Sequence, residues 1–483
     1  MSSIKIELAL SDLYEQWAGE TPDLILPLAP SGSQRIYYRL QRGARTAIGA
    51  YNPNAAENAA FLAFSRHFRA KGLPVPEIYA EDAQRHVYLQ EDLGSTTMYS
   101  FLLQKGGDFP DYLLQLYKRV VEQLARLQIE GGRDLDYSVC YPRESFDKQS
   151  MIWDFNTFKY GFLRLAYVPY DEQKLEDDFQ RFADYLLGAD CRYFMFRDFQ
   201  TRNIMVKGGE PFFIDYQGGR RGPLQYDLAS LLYQAKADIP ERIKQELLDH
   251  YLQAVAQYTP VDRNEFVPYY YGYVLMRCIQ VFGTYGFRGL FERKEHFLQS
   301  IPFALQNVQW VLDNVQFPVE IPELTRTLRH LIQSQQFQPF NKQKGAASLL
   351  TVTINSFAYN QSGIPQDTSG NGGGFVFDCR FLHNPGRYES YKQLTGRDEP
   401  VINFLKHHSR MDEFLLSAFR IVDEAVEDYI ERSFTNLMVN FGCTGGQHRS
   451  VYAADAMARH LVEKYGVNVE VRHVEQERKG WKN

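Results

Sequence analysis

The sequence predicts a two-lobed α+β domain followed by a separate α/β domain with a mixed or parallel sheet. Its 483 residues exceed what one core holds, because single hydrophobic cores stop growing near ~250 to 300 residues. Short strand patterns come first along the chain, and a long stretch of helical periodicity follows them. A segment rich in proline and glutamine then precedes a renewed alternation of strands and helices.

Strand and turn signals place the first lobe at residues 1–95. Residues 34–51 predict two strands joined by a turn around Gly43. Asn54 then begins a helix of period about 3.6 that ends at Gly72. Residues 75–94 add two more short strands. The first lobe is therefore expected to be a small sheet with one helix.

Helical periodicity dominates residues 96–315, the predicted second lobe, apart from short apolar strands around a polar loop at 193–216. A linker is predicted at 316–346 and a second domain at 347–483. In that domain we expect strands at 348–357, 375–382, 436–442 and 468–473, helices at 410–432 and 450–466, and a glycine-rich loop at 361–374.

The charge and cysteine content argue against several classes of protein. The 53 basic and 59 acidic residues give a net charge of -6, which does not suit a chain that coats nucleic acid. The five cysteines are scattered and lack CxxC spacing, so we expect neither a disulfide framework nor a zinc site, and a reducing cytoplasm fits best. No apolar run approaches ~20 residues, so we expect neither secretion nor membrane spanning.

The stretch "YFMFRDFQTRNIMV", followed by "PFFIDYQG", carries the strongest chemical signal in the chain. Phosphoryl transfer requires a carboxylate that orients the attacking hydroxyl and accepts its proton, and oxygen ligands that hold magnesium on the phosphates. Asp198 and Asn203 have the D-x-x-x-x-N spacing, and Asp215 follows an apolar strand. A hairpin between Asn203 and Asp215 would bring these two together. The alternative is that both aspartates are ordinary turn residues.

These motifs, together with "LPVPEIYAED", "LQEDLG" and "GPLQYDLASLL", resemble the aminoglycoside phosphotransferase-like kinases over roughly residues 10–315. The similarity is greatest to the anomeric kinases that phosphorylate N-acetylmuramate and N-acetylglucosamine in cell-wall recycling. It implies a protein-kinase-like fold, ATP and Mg²⁺ as cofactors, Asp198 as catalytic base, and Asn203 and Asp215 as metal ligands. It also implies a hinge, from Glu91 to Leu93, whose backbone meets adenine. Asp227 is more often structural in this fold.

The sequence departs from the kinase pattern at its cations. No lysine occurs between Lys5 and Lys71, so the usual strand lysine on the phosphates is absent. The anomeric sugar kinases, by resemblance, rely on arginines near the first strands instead. Arg35, after the small turn Ser31, Gly32 and Ser33, is the predicted substitute on the phosphates. The alternative is a solvated surface arginine, in which case the domain would be an inactive kinase-like scaffold.

Residues 442–451, "GCTGGQHRSV", have the features of a phosphate loop between a strand and a helix. Backbone N–H groups and the positive end of a helix favour an anion in such a loop. Glycines permit close approach, hydroxyls can donate, and an arginine can clamp phosphate oxygens. The predicted phosphosugar-binding residues are Cys443, Thr444, Gly445, Gly446, His448, Arg449 and Ser450.

The same loop satisfies C-x-x-x-x-x-R-S, the pattern of cysteine-dependent phosphatases, in which a thiolate attacks phosphorus. Gly442 stands where a histidine is common before the cysteine. No partner acid can be picked out from the sequence, and Asp378 and Asp398 are mere possibilities. Catalysis by Cys443 stays an open alternative at this point.

Three motifs, "VFDCRFLHNP", "LTGRDEPV" and "GCTGGQHRSVYAADAMARHL", followed by "VEVRH", resemble the C-terminal domain of the RNase adapter RapZ over roughly residues 347–475. The resemblance implies binding of glucosamine-6-phosphate, held by Thr444, Gly445 and Arg449, and of small regulatory RNA. Gly386 and Arg387 stand where that family often has a histidine or tyrosine and a tryptophan, so Arg387 or His383 is a candidate substitute.

RNA binding is only weakly supported by charge. Residues 347–483 carry 15 basic and 17 acidic side chains, a net charge of -2. We therefore expect an ATP- and Mg²⁺-dependent kinase of a small-molecule amino sugar, joined to a domain that senses a phosphosugar effector. The competing expectation is a regulatory kinase-like scaffold that binds RNA or protein. The exact sugar, the hydroxyl attacked and the oligomeric state are not encoded in any recognisable pattern.

Overall fold

The computed structural model describes residues 3–28, 35–103, 109–293, 295–334, 337, 350–370, 374–431 and 434–480. The chain forms two compact units, Met1–Gln343 and Lys344–Asn483. The second unit has a hydrophobic core of its own. The first unit has one core under its small sheet and another that runs through its helices.

An antiparallel sheet of five strands begins the first unit, in the order β1-β2-β3-β5-β4. Its strands are β1 (Leu24–Pro27), β2 (Ile36–Arg42), β3 (Arg45–Tyr51), β4 (Ile78–Asp82) and β5 (Val87–Gln90). Helix α2 (Ala55–Ala70) begins where predicted, because the Asn54 side chain accepts the N–H groups of Ala56 and Glu57. Four of these strands and this helix are as the sequence predicts.

Helix α1 (Ser3–Ala18) and strand β1 were not predicted. The buried residues of α1, which include Leu10 and Tyr14, pack on the sheet beside Leu40 and Leu89. The Tyr14 hydroxyl also donates to the Arg45 carbonyl oxygen at 2.9 Å. The small sheet is therefore covered by two helices where the sequence predicted one.

Helices build the rest of the first unit. They are α3 (Met98–Leu103), α4 (Asp111–Arg126), α5 (Lys148–Phe158), α6 (Glu172–Leu186), α7 (Leu224–Leu232), α8 (Glu241–Val255), α9 (Arg263–Tyr285), α10 (Glu295–Leu298), α11 (Ile301–Asn314) and α12 (Pro322–Gln333). Two small antiparallel pairs interrupt them: β6 (Tyr193–Met195) with β9 (Arg220–Gly222), and β7 (Ile204–Lys207) with β8 (Glu210–Phe213). These pairs frame the predicted catalytic loop.

Helix α12 lies inside the segment 316–346 that the sequence predicted as a linker. The Leu324 N–H donates to the buried Asp178 carboxylate at 2.8 Å, and Glu323 accepts the N–H of Asp171 at 2.6 Å. Asp171 caps α6 and Asp178 lies in the middle of that helix, so α12 is a packed helix of the first unit. The division between the two units falls after Gln343.

The second unit is built on a four-stranded parallel sheet in the order β11-β12-β10-β13. Its strands are β10 (Thr351–Ala358), β11 (Gly374–Asp378), β12 (Asn436–Cys443) and β13 (Asn468–His473). Its helices are α13 (Glu399–His408), α14 (Met411–Glu431), α15 (Arg449–Tyr465) and α16 (Val474–Lys479). The prediction of a mixed or parallel sheet is confirmed as parallel, whereas α13 and α16 were not predicted.

Candidate functional site

A single buried carboxylate holds the loop that carries the predicted base. Asp227 on α7 accepts the backbone N–H of Phe196 at 2.7 Å and that of Arg197 at 3.0 Å. It also accepts the Gln128 side-chain amide at 3.0 Å. Burial raises the pKa of Asp227 to about 7, against the opposite effect of these donors. Asp227 therefore fixes the main chain just before Asp198.

The structure brings Asp198, Asn203 and Asp215 together, as the motif spacing predicts. The Asn203 amide nitrogen donates to the Asp198 carbonyl oxygen at 2.9 Å and lies 3.4 Å from an Asp215 carboxylate oxygen. Asp215 has a φ of +72°. The Asp198 side chain is 48% exposed, so a substrate hydroxyl can reach its carboxylate.

Asn203 and Asp215 fit a metal that is held jointly with phosphate. Because the Asn203 nitrogen is occupied by these bonds, its amide oxygen is the atom that suits a hard cation. Burial and the neighbouring Asp198 raise the pKa of Asp215, while Gln217 and Arg35 act to lower it. The described residues contain no cluster of three His, Cys, Asp or Glu side chains suited to a metal. Phosphate oxygens would therefore have to complete the coordination.

Arg277 is a residue of this site that the sequence analysis missed. One guanidinium nitrogen lies 3.5 Å from an Asp198 carboxylate oxygen, and Nε donates to the Ser230 hydroxyl at 3.0 Å. The Arg277 side chain is nine-tenths buried on α9. Its sequence signal is a lone arginine within the apolar stretch "YVLMRCIQVF". Nothing in local spacing joins that stretch to the catalytic loop.

Arg35 is buried and not a solvated surface arginine. It is 3% exposed, and its guanidinium lies 3.7 Å from a carboxylate oxygen of Glu57 on α2 and packs over the Phe61 ring. Burial raises the pKa of Asp215, and the charge of Arg35 acts against that rise. The sequence analysis did not single out Glu57. The predicted turn Ser31, Gly32 and Ser33 lies outside the described residues.

The predicted adenine hinge is bonded to the small sheet through its main chain and through a side chain. The Glu91 N–H donates to the Glu77 carbonyl oxygen at 2.8 Å, and Leu93 is buried. Arg39 on β2 binds both carboxylate oxygens of Asp92, at 2.7 and 3.0 Å. These bonds fix the segment, and its contact with adenine stays a prediction.

A second site lies at the carboxyl end of β12, where the predicted phosphate loop meets the N-terminus of α15. A cavity of about 240 Å³ opens there. Residues 443–445 and 447–449 line it together with Asn384, Gly386 and Lys392. Ser450 is fully buried and Gly446 does not line the cavity; Gly446 has a φ of +63° and packs against Glu475. Asn384, Lys392 and Gln447 are lining residues that the sequence analysis missed.

Arg449 is partly committed to the protein itself. Its Nη1 donates to the carbonyl oxygens of Arg380 and Leu382 at 2.9 and 2.8 Å. Its Nη2 lies 3.4 Å from the Thr444 hydroxyl, and its buried Nε has no hydrogen-bond partner among the described residues. Arg449 therefore connects the chain after β11 to the phosphate loop and keeps part of its donor capacity.

Cys443 occupies the floor of the loop without an acid beside it. Its sulfur accepts the Gly446 N–H at 3.2 Å and lies 3.1 Å from the Ser450 hydroxyl, and the residue is buried. Asp378 binds Arg380, and Asp398 accepts the N–H and hydroxyl of Thr395. Neither aspartate lines the cavity. These contacts favour binding over thiolate catalysis.

Neither candidate substitute for the family's missing side chains reaches the cavity. His383 binds the His408 carbonyl oxygen and the Tyr388 hydroxyl, and Arg387 is exposed. Gly386 does line the cavity, and so does Lys392, which is half exposed. The expectation that Arg387 or His383 takes over the sugar contact is therefore not supported.

Residues from two of the quoted motifs meet with β13 in one network behind the loop. Arg397 binds both carboxylate oxygens of Asp455 at 2.7 and 3.1 Å, and the His473 ring lies 3.1 Å from the same carboxylate. The other ring nitrogen of His473 lies 2.8 Å from the Ser356 hydroxyl. His473 and Arg397 hold the pKa of Asp455 down, at about 2, although burial acts to raise it.

Comparison with known families agrees with this division of the chain. The model of the phosphotransferase enzyme family matches residues 25–262, and that of the RapZ C-terminal domain matches residues 350–477. The chain joins a phosphotransferase-family domain to a RapZ C-terminal domain. The predicted fold class, a two-lobed protein-kinase-like domain followed by a separate α/β domain, is confirmed.

The curated relatives are nucleotide-binding proteins. One from Cereibacter sphaeroides is 36% identical over 158 residues, which are 31% of this chain and 50% of the relative. One from Thermotoga neapolitana is 31% identical over 191 residues, 38% of this chain and 64% of the relative. The chain thus spans about half to two thirds of these relatives. A choline kinase of Streptococcus pneumoniae is similar with 13% identity and a TM-score of 0.43, over 63% of this chain and 99% of that one.

No helix among those the structure describes is long and apolar enough to cross a lipid bilayer.

Proposed function

We propose that the first unit transfers the γ-phosphoryl group of ATP to an amino sugar, N-acetylmuramate or N-acetylglucosamine, at its anomeric hydroxyl. The observation that carries the proposal is that Asp198 and Asn203, on the loop that Asp227 anchors, lie together with Asp215, which follows β8. The choice of an amino sugar rests on the sequence resemblance alone. The cofactors in this proposal are ATP and Mg²⁺.

Asp198 is the base in this mechanism. Its exposed carboxylate orients the sugar hydroxyl and accepts the proton as the new oxygen–phosphorus bond forms and the bond to the ADP oxygen breaks. The Arg277 guanidinium, 3.5 Å away, restrains the carboxylate and offsets its charge. Asn203 and Asp215 would hold Mg²⁺, which neutralises charge on the phosphates.

Arg35 takes the part of the absent strand lysine. In protein kinases a lysine on the phosphates is paired with a glutamate from the helix beside the small sheet. Arg35 is paired with Glu57, which comes from the corresponding helix α2. This pairing supports an active kinase over an inactive scaffold, because the cation is buried near the metal carboxylate Asp215.

For the second unit we propose a receptor for a phosphosugar. Thr444, Gly445 and Arg449, the first residue of α15, line one cavity, and residue types of this kind suit the oxygens of a phosphate. The cavity volume of about 240 Å³ is below the ~300 to 1,000 Å³ of typical ligand pockets, which favours a monosaccharide phosphate over a nucleotide. Binding of RNA stays a prediction of the resemblance.

The decisive experiment is to incubate the full chain with ATP, Mg²⁺ and a panel of amino sugars, and to identify the products by phosphorus NMR. We expect a glycosyl 1-phosphate from at least one N-acetylated amino sugar. If ATP binds but no sugar is phosphorylated, the kinase proposal is wrong and the regulatory scaffold takes its place. A product phosphorylated at another hydroxyl would retain the kinase and reject the anomeric assignment.

A further inference from the structure

The ion pair between Arg35 and Glu57 is too long to fix the Glu57 carboxylate by itself. One guanidinium nitrogen of Arg35 lies 3.7 Å from Oε2 of Glu57, which is beyond the length of a hydrogen bond. The Glu57 side chain is also 31% exposed, so water competes for its carboxylate. A further contact is therefore needed to keep this carboxylate beside Arg35.

Asn52, in the turn between β3 and α2, supplies such a contact. Its Nδ2 donates to Glu57 Oε2, the same oxygen that lies nearest Arg35, at 2.9 Å. A hydrogen bond of this length to a charged acceptor is well formed and stronger than one between neutral groups. Asn52 is 2% exposed, so water has little access to the donor. The position of the Glu57 carboxylate therefore depends more on Asn52 than on Arg35.

The Asn52 side chain is held in the orientation that this bond requires. Its Oδ1 accepts the backbone N–H of Asn54 at 3.1 Å, and its backbone carbonyl oxygen accepts the side-chain amide of Asn58 at 2.8 Å. Pro53 follows, and a residue before proline is confined to extended backbone. Because Oδ1 is occupied by an N–H donor, the amide presents Nδ2 to Glu57.

The charges of Glu57 and Arg35 both act on the predicted metal ligand Asp215. Burial has the largest influence and raises the pKa of Asp215; the charge of Glu57 adds to that rise, and the charge of Arg35 opposes it. The three side chains therefore form one electrostatic cluster. A displaced Glu57 would change how much of the Arg35 charge is offset inside that cluster.

Asn54 separates the start of the helix from the position of the carboxylate. The Asn54 Oδ1 accepts the backbone N–H groups of Ala56 and Glu57, so it caps α2. Asn52 instead bonds to the Glu57 carboxylate. The bond from Asn52 to Glu57 therefore adds to a helix start that Asn54 already caps.

We propose that Asn52 is a positioning residue for phosphoryl transfer, which holds the Glu57 carboxylate against Arg35 so that the guanidinium keeps the place of the absent strand lysine. Asn52 acts through Glu57 and has no part in the proton transfer. The inference rests on the proposed kinase function of the first unit. It assigns a role to a residue outside every motif of the sequence.

The variant Asn52→Asp tests the inference, because it keeps the acceptor for the Asn54 N–H and removes the donor to Glu57. Two carboxylates would then face each other, and Glu57 would turn towards water. We expect kcat/KM for ATP to fall about tenfold, mainly through KM, as for the loss of one hydrogen bond to a charged group. The assay uses the full chain and the sugar that gives a product in the panel.

Asn54→Asp is the matched control. It adds the same charge two residues along the chain and keeps a good helix cap, so kcat/KM for ATP should stay within about twofold of the wild type. An unchanged kcat/KM in Asn52→Asp overturns the inference. An equal loss in both variants overturns it as well, because the added charge and not the lost donor would then be the cause.

An exchange of the two side chains separates position from folding. The double variant Asn52→Asp with Glu57→Gln can keep a hydrogen bond between residues 52 and 57 and moves the carboxylate from residue 57 to residue 52. We expect its thermal unfolding to be close to that of the wild type, and its kcat/KM for ATP to stay as low as in Glu57→Gln alone. Recovery of activity in the double variant would mean that the place of the carboxylate does not matter, and the inference would be wrong.

Calorimetric titration with ATP and Mg²⁺ distinguishes failure of this inference from failure of the proposed function. If the wild type phosphorylates no sugar, the proposed function fails. The inference then stands only if Asn52→Asp weakens ATP binding about tenfold while Asn54→Asp does not. If the wild type binds no ATP, both fail.

Discussion

The loop that follows β6 and the loop that follows β12 differ in the charge of the side chains around them: carboxylates surround the first, and donor groups surround the second. Around Asp198 the accessible groups are carboxylate and amide oxygens, and the cations Arg277 and Arg35 are buried behind them. Around Thr444 the cavity is lined by residues with donor groups, Arg449 among them, and by no described carboxylate, and Cys443 is buried at its floor. The first arrangement suits a metal, a proton and a reacting hydroxyl. The second suits an anion that stays intact.

Removal of the base Asp198 should give the largest effect on sugar phosphorylation. A small effect would contradict the assignment of the first loop as the catalytic one. We expect Asp198→Ala to lower kcat for sugar phosphorylation by roughly 100- to 10,000-fold, the usual contribution of a general base. Binding of ATP, measured by calorimetry, should be nearly unchanged. Asp190→Ala is a matched control, since Asp190 is half exposed and pairs with the exposed Arg192 on the surface. Full activity in Asp198→Ala would remove the role assigned to that residue.

The buried cation of the first site should come next. We expect Arg35→Met to lower kcat/KM for ATP roughly 100-fold, as when one preorganised charge is removed from a transition state. Glu57→Gln should have a smaller effect, and the two changes should not be additive, because the residues form one pair. Arg66→Met, on the exposed face of α2, serves as the control. Additive effects would show that Arg35 acts without Glu57.

The network of Arg397, Asp455 and His473 should contribute mainly to the stability of the second unit. Asp455→Asn should destabilise the second unit by about 2 kcal/mol at pH 7, since the pKa of Asp455 is lowered from 3.8 to about 2. The folded pKa lies below the unfolded one, so this stabilisation is full above about pH 4 and is lost as the pH falls through about 2. Hydrogen exchange of β13 peptides in urea measures the effect.

Exposed Glu470 on the same strand provides the control for that comparison, and Glu470→Gln should leave exchange unchanged. The difference between wild type and Asp455→Asn should shrink as the pH is lowered from 5 to 2. A difference that grows instead would mean that the carboxylate is not stabilised by Arg397 and His473.

The smallest expected effect sharpens the contrast between the two sites. Cys443→Ser should change phosphosugar affinity by no more than about twofold, because serine can keep the contacts with Gly446 and Ser450. The measurement is calorimetric titration of the full chain with a sugar phosphate, together with an assay for phosphate release from sugar phosphates. Phosphate release by the wild type that disappears in Cys443→Ser would establish a phosphatase in place of a receptor.

Local spacing explains what the sequence predicted correctly. The intervals among Asp198, Asn203 and Asp215 encode a hairpin, and the sequence around Thr444 encodes a turn between a strand and a helix. Each motif is therefore complete within a short stretch of chain. The same reasoning predicted the four strands of the second unit's sheet, and in the first unit helix α2 with its Asn54 cap.

Residues that act from a distance could not be found in this way. Glu57, Arg277 and Lys392 reach their sites through tertiary packing, and each stands in its own segment without any motif. The missed helix α1 contains acidic residues among its apolar ones, and its role depends on a sheet that forms later in the chain. Periodicity in the sequence indicates which face of a helix or strand is buried. It does not indicate which other element that face packs against.

The Asp227 anchor explains how the catalytic loop tolerates unusual side chains. The Asp227 carboxylate accepts hydrogen bonds from the backbone N–H groups of residues 196 and 197, and a backbone N–H does not depend on the side chain at its position. Phe196 stands where the H-R-D motif of protein kinases has histidine. Its ring packs in the apolar core beside Phe199 and Tyr216 without disturbing these bonds. Because main-chain bonds hold the loop, a different side chain at position 196 can be accommodated without moving Asp198.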